Sequence, residues 1–184
     1  MPQSFKTVAQ QLVDAGRFID QRGWVPATSG NFSAKLADGS IAITVSGKHK
    51  GRLTVDDIMT VDADGRSLDG RKSSAETLLH TAIYRRYPET RAVLHPHSPA
   101  ATLISRLKAQ EVVLKDYELL KALPGITTHD CRVVIPIVPN DQDIPRLAAH
   151  VERWIDQHGD IHGYIIASHG FYTWGDSVES ALRH

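Results

Sequence analysis

The stretch Ala92-Val93-Leu94-His95-Pro96-His97-Ser98-Pro99 decides how this chain is expected to fold. Its apolar start predicts a buried strand, and the two histidines that follow are two residues apart, so both imidazoles leave the same face. Pro96 cannot donate to a sheet ladder, which favours the end of a strand, whereas Ser98 and Pro99 suit the cap and first position of a helix. The sequence therefore places two histidines at a strand-to-helix junction.

A third histidine, His169, stands in a comparable place. It follows the apolar residues 163–168 and precedes Gly170, which indicates that a buried strand gives way to a turn. Together with His95 and His97 it would suit an open metal site, because catalytic zinc commonly keeps three protein ligands. Ordinary histidines beside turns would give the same spacing, so that interpretation stays open. The other seven of the ten histidines are expected at the surface or in simple hydrogen bonds.

The composition predicts one compact domain over residues 1–184. The chain is 41% hydrophobic and 23% charged, which fits a single domain with a substantial core. Basic and acidic residues both number 21, so no global charge indicates nucleic acid or a membrane surface as a partner. The single cysteine, Cys131, excludes an internal disulfide framework, and no apolar run approaches the ~20 residues of a membrane span. We expect a cytoplasmic protein.

The hydrophobic periodicity predicts a mixed α/β sheet that is covered by helices. Hairpin punctuation near the first strands favours antiparallel pairing there. A helical pattern is still running at His184, so we expect the final helix to extend beyond this sequence. The predicted helices are 4–21, 74–87, 99–107, 112–123 and 144–157, and the predicted strands are 31–36, 41–45, 58–62, 91–94, 133–138 and 164–167.

Two loops of small residues, 27–31 and 45–50, offer hydroxyls and unhindered backbone N–H groups. With the ammonium group of Lys48 or Lys50, between which spacing does not choose, these are the groups that a phosphate needs. Neither loop has the spacing of a P-loop or of a dinucleotide fingerprint, so nucleoside triphosphates are not indicated. The segment 72–76 opens a predicted helix, whose N-terminus also attracts anions. Ordinary turns would explain the two loops as well.

The order of these segments resembles the class II aldolase and adducin-like family. The resemblance covers most of the chain and rests on Ser29-Gly30-Asn31, Ser46-Gly47, Ser73-Ser74-Ala75-Glu76, His95-Pro96-His97-Ser98 and His169-Gly170. It implies a three-layer α/β/α fold with a central mixed, largely antiparallel sheet, and a homo-oligomer that is often a tetramer. It implies a divalent metal ion on His95, His97 and His169. It also implies a sugar phosphate on Gly30, Asn31, Ser46, Gly47 and Ser74, and Lys50 is expected beside them.

Other segments resemble the dehydratase branch of this family, zinc lyases of methionine salvage. They are Tyr117-Glu118-Leu119-Leu120-Lys121, residues 169–175 and residues 134–140. That resemblance implies one Zn²⁺ per chain and gives Glu118 the role of general acid and base. Glu76 stands at the position of the catalytic carboxylate of the aldolases and is counted with Glu118 as a catalytic residue, although in the dehydratase branch it is expected as a fourth ligand or as a group that supports the ligands. A first-turn acid at Glu76, and a solvated Glu118 paired with Lys115 or Lys121, are the structural alternatives.

Three other functions stay open at this point. A sugar-phosphate aldolase or epimerase of the same family would share the metal and phosphate sites but would give carbonyl fragments or an epimer. An adducin-like interaction domain would keep the fold without the metal histidines, which this chain has. A zinc hydrolase needs only the ion and an activated water, and it leaves the phosphate loops unexplained.

Overall fold

A computed structural model describes residues 4–108 and 110–184. Within those residues, no helix combines the length and apolar character that crossing a membrane requires. The helices are α1 Phe5–Gln21, α2 Thr77–Arg86, α3 Pro99–Leu107, α4 Ile144–His158 and α5 Val178–Arg183, with short 3₁₀ turns at Lys50–Arg52, Val55–Asp57 and Glu118–Ala122. The strands are β1 Asn31–Lys35, β2 Ile41–Thr44, β3 Ile58–Val61, β4 Ala92–His95, β5 Glu111–Lys115, β6 Arg132–Val138, β7 Gly163–Ile166 and β8 Gly170–Gly175.

Eight strands of the described residues form one sheet in the order β3-β2-β1-β4-β8-β7-β6-β5. Only β6 and β7 run parallel, and every other neighbouring pair is antiparallel. One core joins the sheet to α2 and α4, and a second core joins it to α1 and α5. The predicted α/β class and the mixed, largely antiparallel sheet between helical layers are therefore confirmed.

Strand β4 carries its first histidine toward the α2 side of the sheet. Ala92 and Leu94 pack in the core that contains α1, whereas Val93 packs in the core that contains α2 and α4. Because side chains alternate along a strand, His95 shares the face of Val93. Its side chain is fully buried there, so the fold has to supply it with polar partners.

The helix predicted over residues 112–123 is wrong. Strand β5 occupies Glu111–Lys115 and pairs antiparallel with β6, and a 3₁₀ turn follows at Glu118–Ala122. The β-branched pair Val112-Val113 favours a strand, and Asp116 adopts a left-handed backbone with φ of 59°, which ends it. The apolar spacing of this segment fits the period of a helix and that of a strand, and pairing with β6 favours the strand.

Strand β8 was not predicted from the sequence, where only a turn at Gly170 was expected. Residues Gly170–Gly175 pair with β4 on one side and β7 on the other, near the middle of the sheet. Aromatic and β-branched residues at 171–174 favour this strand. The tight turn between β7 and β8 holds His169 at the edge of the sheet. The other predicted elements are present with ends shifted by a few residues, and α2 begins at Thr77.

We predict that Gly16→Ala destabilises the protein although alanine favours helices. A Cβ at Gly16, in α1, would overlap the carbonyl oxygen of Lys50, because the helix lies against the Lys50–Arg52 turn. We expect the free energy of unfolding in urea to fall by about 1–3 kcal/mol, the usual cost of overpacking. Lys6→Ala, at an exposed position of the same helix, is the control. Equal stability of the two variants would contradict the close approach.

Candidate metal centre and substrate cleft

Three imidazole rings converge where β4 ends and β8 begins. The Nε2 atom of His97 lies 3.0 Å from Nε2 of His95 and 3.1 Å from Nε2 of His169. Neutral imidazoles that turn their acceptor nitrogens toward one another cannot satisfy each other by hydrogen bonds. A shared cation at a typical Zn–N distance of about 2.0–2.1 Å would satisfy all three lone pairs. The structure thus brings together the three histidines predicted as ligands.

Glu76 completes this group. One carboxylate oxygen lies 3.2 Å from Nε2 of His95, and the other lies 3.4 Å from Nε2 of His169. The four ligand atoms of Glu76, His95, His97 and His169 all lie within 4.8 Å of one another. Three nitrogens and one oxygen form a donor set that suits zinc and several other divalent ions. The group can therefore hold a divalent metal ion.

Hydrogen bonds on the far side of two rings fix which nitrogen faces the centre. Nδ1 of His95 donates to the carbonyl oxygen of Phe171 at 2.9 Å, and Nδ1 of His169 lies 3.3 Å from Oδ1 of Asn140. A proton on Nδ1 leaves the lone pair on Nε2, where a metal ion would bind. The ring of Tyr172 stacks on that of His95, with centroids 4.1 Å apart.

The electrostatics keep these groups in their metal-binding forms. Burial, followed by the neighbouring His95 and His169, lowers the pKa of His97 to about 3. Burial also lowers the pKa of His169. Burial opposes ionisation of Glu76, but its contact with His95 and the hydrogen bond from Asn31 outweigh burial and hold the pKa of this carboxyl well below its usual range. Neutral imidazoles and an ionised carboxylate are the forms that bind a cation.

A cleft of about 360 Å³ opens beside the four residues. Every residue predicted for the sugar phosphate lines it. Those residues are Gly30, Asn31, Ser46, Gly47, Lys50 and Ser74, and the same cleft is lined by Glu76, His97 and His169. At Gly30 the backbone has φ of 75°, and a side chain would lie 2.6 Å from the carbonyl oxygen of His95, so the close approach of this loop to β4 requires glycine.

The two lysines of the second loop lie in different surroundings. Lys48 is exposed and forms an ion pair with Asp57 at 3.0 Å. Lys50 is 1% exposed, and its ammonium group donates to the carbonyl oxygens of Thr28 at 3.0 Å and Lys48 at 2.6 Å. Burial lowers the pKa of Lys50 to about 8. An ammonium group has three donors, so Lys50 can join the two loops and still donate to an anion in the cleft.

Glu118 lies outside this cleft in the single chain. It stands on the 3₁₀ turn that follows β5, where its side chain is 72% exposed, pairs with Lys121 and lies 3.7 Å from Nδ1 of His129. The hydrogen bond from Lys121 lowers the pKa of Glu118. Its neighbours Tyr117 and Leu119 are 57% and 82% exposed. The structure does not bring Glu118 to the three histidines within one chain.

Comparison with known proteins gives the relationship of this chain. The family model described as Class II Aldolase and Adducin N-terminal domain matches residues 10–184. The chain belongs to the class II aldolase and adducin family. Among its relatives, a methylthioribulose-1-phosphate dehydratase from Methylococcus capsulatus is 71% identical over 180 residues, which are 98% of this chain and 88% of the relative. Another from Pseudomonas fluorescens is 54% identical over 96% of this chain and 86% of its own length.

Solved structures of the class II aldolase family share the fold. YgbL from Escherichia coli, described as a putative aldolase/epimerase/decarboxylase, matches with a TM-score of 0.82 and 26% identity, over 98% of this chain and 84% of that one. An L-fuculose 1-phosphate aldolase matches with a TM-score of 0.79 and 20% identity, over 98% of this chain and 80% of that one. The second likeness concerns the fold alone.

Three residues around this class II aldolase-type centre were not predicted from the sequence: Asn140, Tyr172 and His80. Asn140 follows β6, and His169 follows β7. Because β6 and β7 are parallel, their carboxyl ends lie at the same edge of the sheet. A prediction of this pairing would have placed Asn140 beside His169. Tyr172 lies on the unpredicted strand β8. His80 is fully buried and stands four residues after Glu76 in α2, at the spacing that places both on one helix face.

We predict that His97→Ala removes the metal ion from the protein. Loss of one of three imidazoles takes away a ligand that no neighbouring group replaces within the four-residue cluster. We expect metal content, measured by plasma mass spectrometry after gel filtration, to fall from about one ion per chain to below ~0.1. Glu118→Gln is the matched control and should keep the ion. Full metal content in His97→Ala would show that the histidines are not the ligands.

Proposed function

We propose that this chain is a zinc-dependent methylthioribulose-1-phosphate dehydratase. It would convert 5-methylthioribulose 1-phosphate into 2,3-diketo-5-methylthiopentyl 1-phosphate in methionine salvage, as a cytoplasmic homotetramer. The observation that carries the proposal is 71% identity to such a dehydratase over 98% of this chain. The three histidines and Glu76 beside a cleft with a buried lysine support it, because a 2-ketose phosphate presents a carbonyl and a phosphate.

The phosphate end of the substrate fits the loops around Lys50. Ser46 and Ser74 bring hydroxyls to the cleft, and Gly47 leaves its backbone N–H unhindered. Lys50 adds a positive charge that is shielded from water, where its attraction to an anion is stronger than at the surface. These groups would hold one end of the sugar, so that its reacting carbons face the histidines.

The reaction removes the proton at C3 and the hydroxyl at C4, and the resulting enol becomes the 2,3-diketone. A divalent ion on the four ligands would supply a Lewis acid for the carbonyl at C2, which makes the C3 proton more acidic. The two carboxylate oxygens of Glu76 lie 3.2 Å from Nε2 of His95 and 3.4 Å from Nε2 of His169, so a bound ion would occupy their lone pairs. The ionised form of Glu76 suits a metal ligand. The proton transfers therefore need another group.

We propose Glu118 as that group, acting in the cleft of a neighbouring copy. Within its own chain Glu118 is exposed and pairs with Lys121, outside the cleft. The exposed Tyr117 and Leu119 on either side of it are typical of a surface that a partner covers. A tetramer that buried these two side chains would carry Glu118 toward another chain. Removal of the C3 proton and protonation of the leaving hydroxyl would both be its task.

An aldolase or epimerase is the second candidate, because Glu76 lies within the metal group at the position of the aldolase carboxylate. Nuclear magnetic resonance of the zinc-loaded protein with 5-methylthioribulose 1-phosphate separates the candidates. We expect the signals of the 2,3-diketone to appear. The carbon that bears the phosphate ester should remain part of an uncleaved carbon chain. Smaller carbonyl fragments would establish an aldolase, an epimer would establish an epimerase, and unchanged substrate would contradict enzymatic action on this sugar.

We predict that two inactive variants complement each other. Glu118→Gln should keep its metal and lose about 10²- to 10⁴-fold in kcat, the usual effect of removing a positioned acid or base. His97→Ala should lose metal and activity together. Co-expressed chains should recover up to about a quarter of wild-type activity, because some clefts combine intact histidines with an intact neighbouring Glu118. Activity no higher than the sum of the single variants would contradict action between copies, and a fully active Glu118→Gln would remove Glu118 from the mechanism.

We predict that the apparent affinity for substrate falls as the pH rises through about 8. Lys50 is charged below its pKa of about 8 and neutral above it, so its attraction to phosphate is lost in that direction. Lys50→Met should raise KM by about 10- to 100-fold with a smaller change in kcat, because a hydrogen bond to a charged group is lost. Lys48→Met is the exposed control and should change neither constant. A wild-type KM that stays constant from pH 7 to pH 9.5 would refute this role.

A further inference from the structure

A row of buried polar side chains leads from the metal group into the core. It begins at Glu76, which accepts a hydrogen bond of 2.8 Å from Nδ2 of Asn31. Oδ1 of Asn31 contacts Nε2 of His80, and Nδ1 of His80 lies 2.7 Å from the hydroxyl of Ser33. That hydroxyl lies 2.8 Å from the hydroxyl of Tyr84. All five residues are at most 9% exposed, and His80 and Ser33 are fully buried.

The row follows from two simple spacings. Residues 76, 80 and 84 are four apart along α2 and its N-cap, which aligns them on one helix face. Residues 31 and 33 are two apart on β1, which places them on one face of the sheet. The aligned residues of α2 and its N-cap therefore face the two residues of β1. Asn31 is also paired with His95 across β1 and β4, so the row meets the metal group at its first member.

The direction of each hydrogen bond in the row is determined by its first member. An ionised carboxylate only accepts, so Asn31 turns its NH₂ group to Glu76 and its carbonyl oxygen to His80. His80 must then carry its proton on Nε2, which leaves Nδ1 to accept from Ser33. Burial, followed by the neighbouring His95, lowers the pKa of His80 to about 3. The ring is therefore neutral, and the hydrogen bonds select one of its two tautomers.

The same contacts make His80 the group that holds Asn31 in place. If the amide of Asn31 were reversed, its oxygen would face the Glu76 carboxylate and its NH₂ group would face the Nε2–H of His80. Two acceptors would then oppose each other at Glu76 and two donors at the fully buried His80. Asn31 in its observed orientation holds the Glu76 carboxylate against the histidines by the 2.8 Å bond.

We infer that His80 is a positioning residue that, through Asn31, aims the carboxylate of Glu76 at the metal ion. The inference rests on the proposed metal centre and assigns His80 no contact with substrate. It adds a role for a fully buried histidine that lies outside the ligand set and outside the cleft lining. Partners behind the ligands typically change metal affinity by 10- to 100-fold when they are removed.

Two substitutions of His80 separate this role from simple packing. Both His80→Gln and His80→Asn remove the ring, which packs edge-on against Tyr172 at 5.5 Å. The longer glutamine amide can donate from the place of Nε2 to Asn31, whereas the shorter asparagine amide lies at the place of Nδ1 and reaches only Ser33. The two variants share the loss of the ring and differ in the bond to Asn31, and asparagine is also shorter by one methylene.

The test is a Co²⁺ titration of the metal-free full chain, followed by the visible absorption of the bound ion. We expect the dissociation constant to rise about 10- to 100-fold in His80→Asn and to stay within about threefold of wild type in His80→Gln. Tyr84→Phe, which removes only the last hydroxyl of the row, should leave it unchanged. Equal weakening in both His80 variants would reduce His80 to a packing residue, and wild-type affinity in His80→Asn would overturn the inference.

Two further measurements keep the inference testable if His80→Asn does not fold. Nitrogen-15 spectra of the wild-type histidines should show His80 protonated at Nε2, and a proton at Nδ1 would contradict the row. Ser33→Ala, which deletes one small hydroxyl, should weaken Co²⁺ binding by an intermediate factor because it frees the tautomer of His80. Since none of these readouts uses substrate, an absence of dehydratase activity would refute the proposed function without deciding the role of His80.

Discussion

The structure depends on the burial of a carboxylate and an imidazole next to each other in the protein interior. Glu76 and His95 are both withdrawn from water, and each would be costly there without polar partners. The fold supplies those partners from separate parts of the chain: β1 brings Asn31, the turn before β8 brings His169, and β8 offers the carbonyl of Phe171. The arrangement of strands β1, β4 and β8 at the centre of the sheet is what makes these contacts possible.

The parts of the site that could be predicted from the sequence are those that depend on local structure. A strand that ends in His-Pro-His before a capped helix places two imidazoles on one face whatever surrounds it, and loops of small residues expose backbone N–H groups wherever they lie. Strands β5 and β8 depend on pairing with other strands, β5 with β6 and β8 with β4 and β7, so their own sequences do not determine them. His80 gave no signal as a single residue. Its role depends on the packing of α2 against β1, which brings it next to Asn31 and Ser33.

The family resemblance and the single chain differ in what they say about Glu118. The resemblance gives it a chemical role, whereas the chain alone places it on an exposed turn beside Lys121. Glu76, by contrast, is held by the fold itself. Aldolases of the same fold share the sheet and its helices at 20% identity, so the architecture does not distinguish the reactions. The choice between cleaving a sugar and dehydrating it would then depend on which acid reaches the cleft, on a scaffold that stays the same.

The alignment of residues 76, 80 and 84 along α2 and its N-cap also affects how freely the Glu76 carboxylate could move. Glu76 is the N-cap of that helix, and its carboxylate is tied to β1 through Asn31, while His80 and Tyr84 fasten the next two turns to the same strand. Rotation of the Glu76 side chain alone would break the hydrogen bond that its carboxylate accepts from Asn31. With the proposed metal centre, the position of the Glu76 carboxylate would therefore be coupled to the packing of α2 against β1.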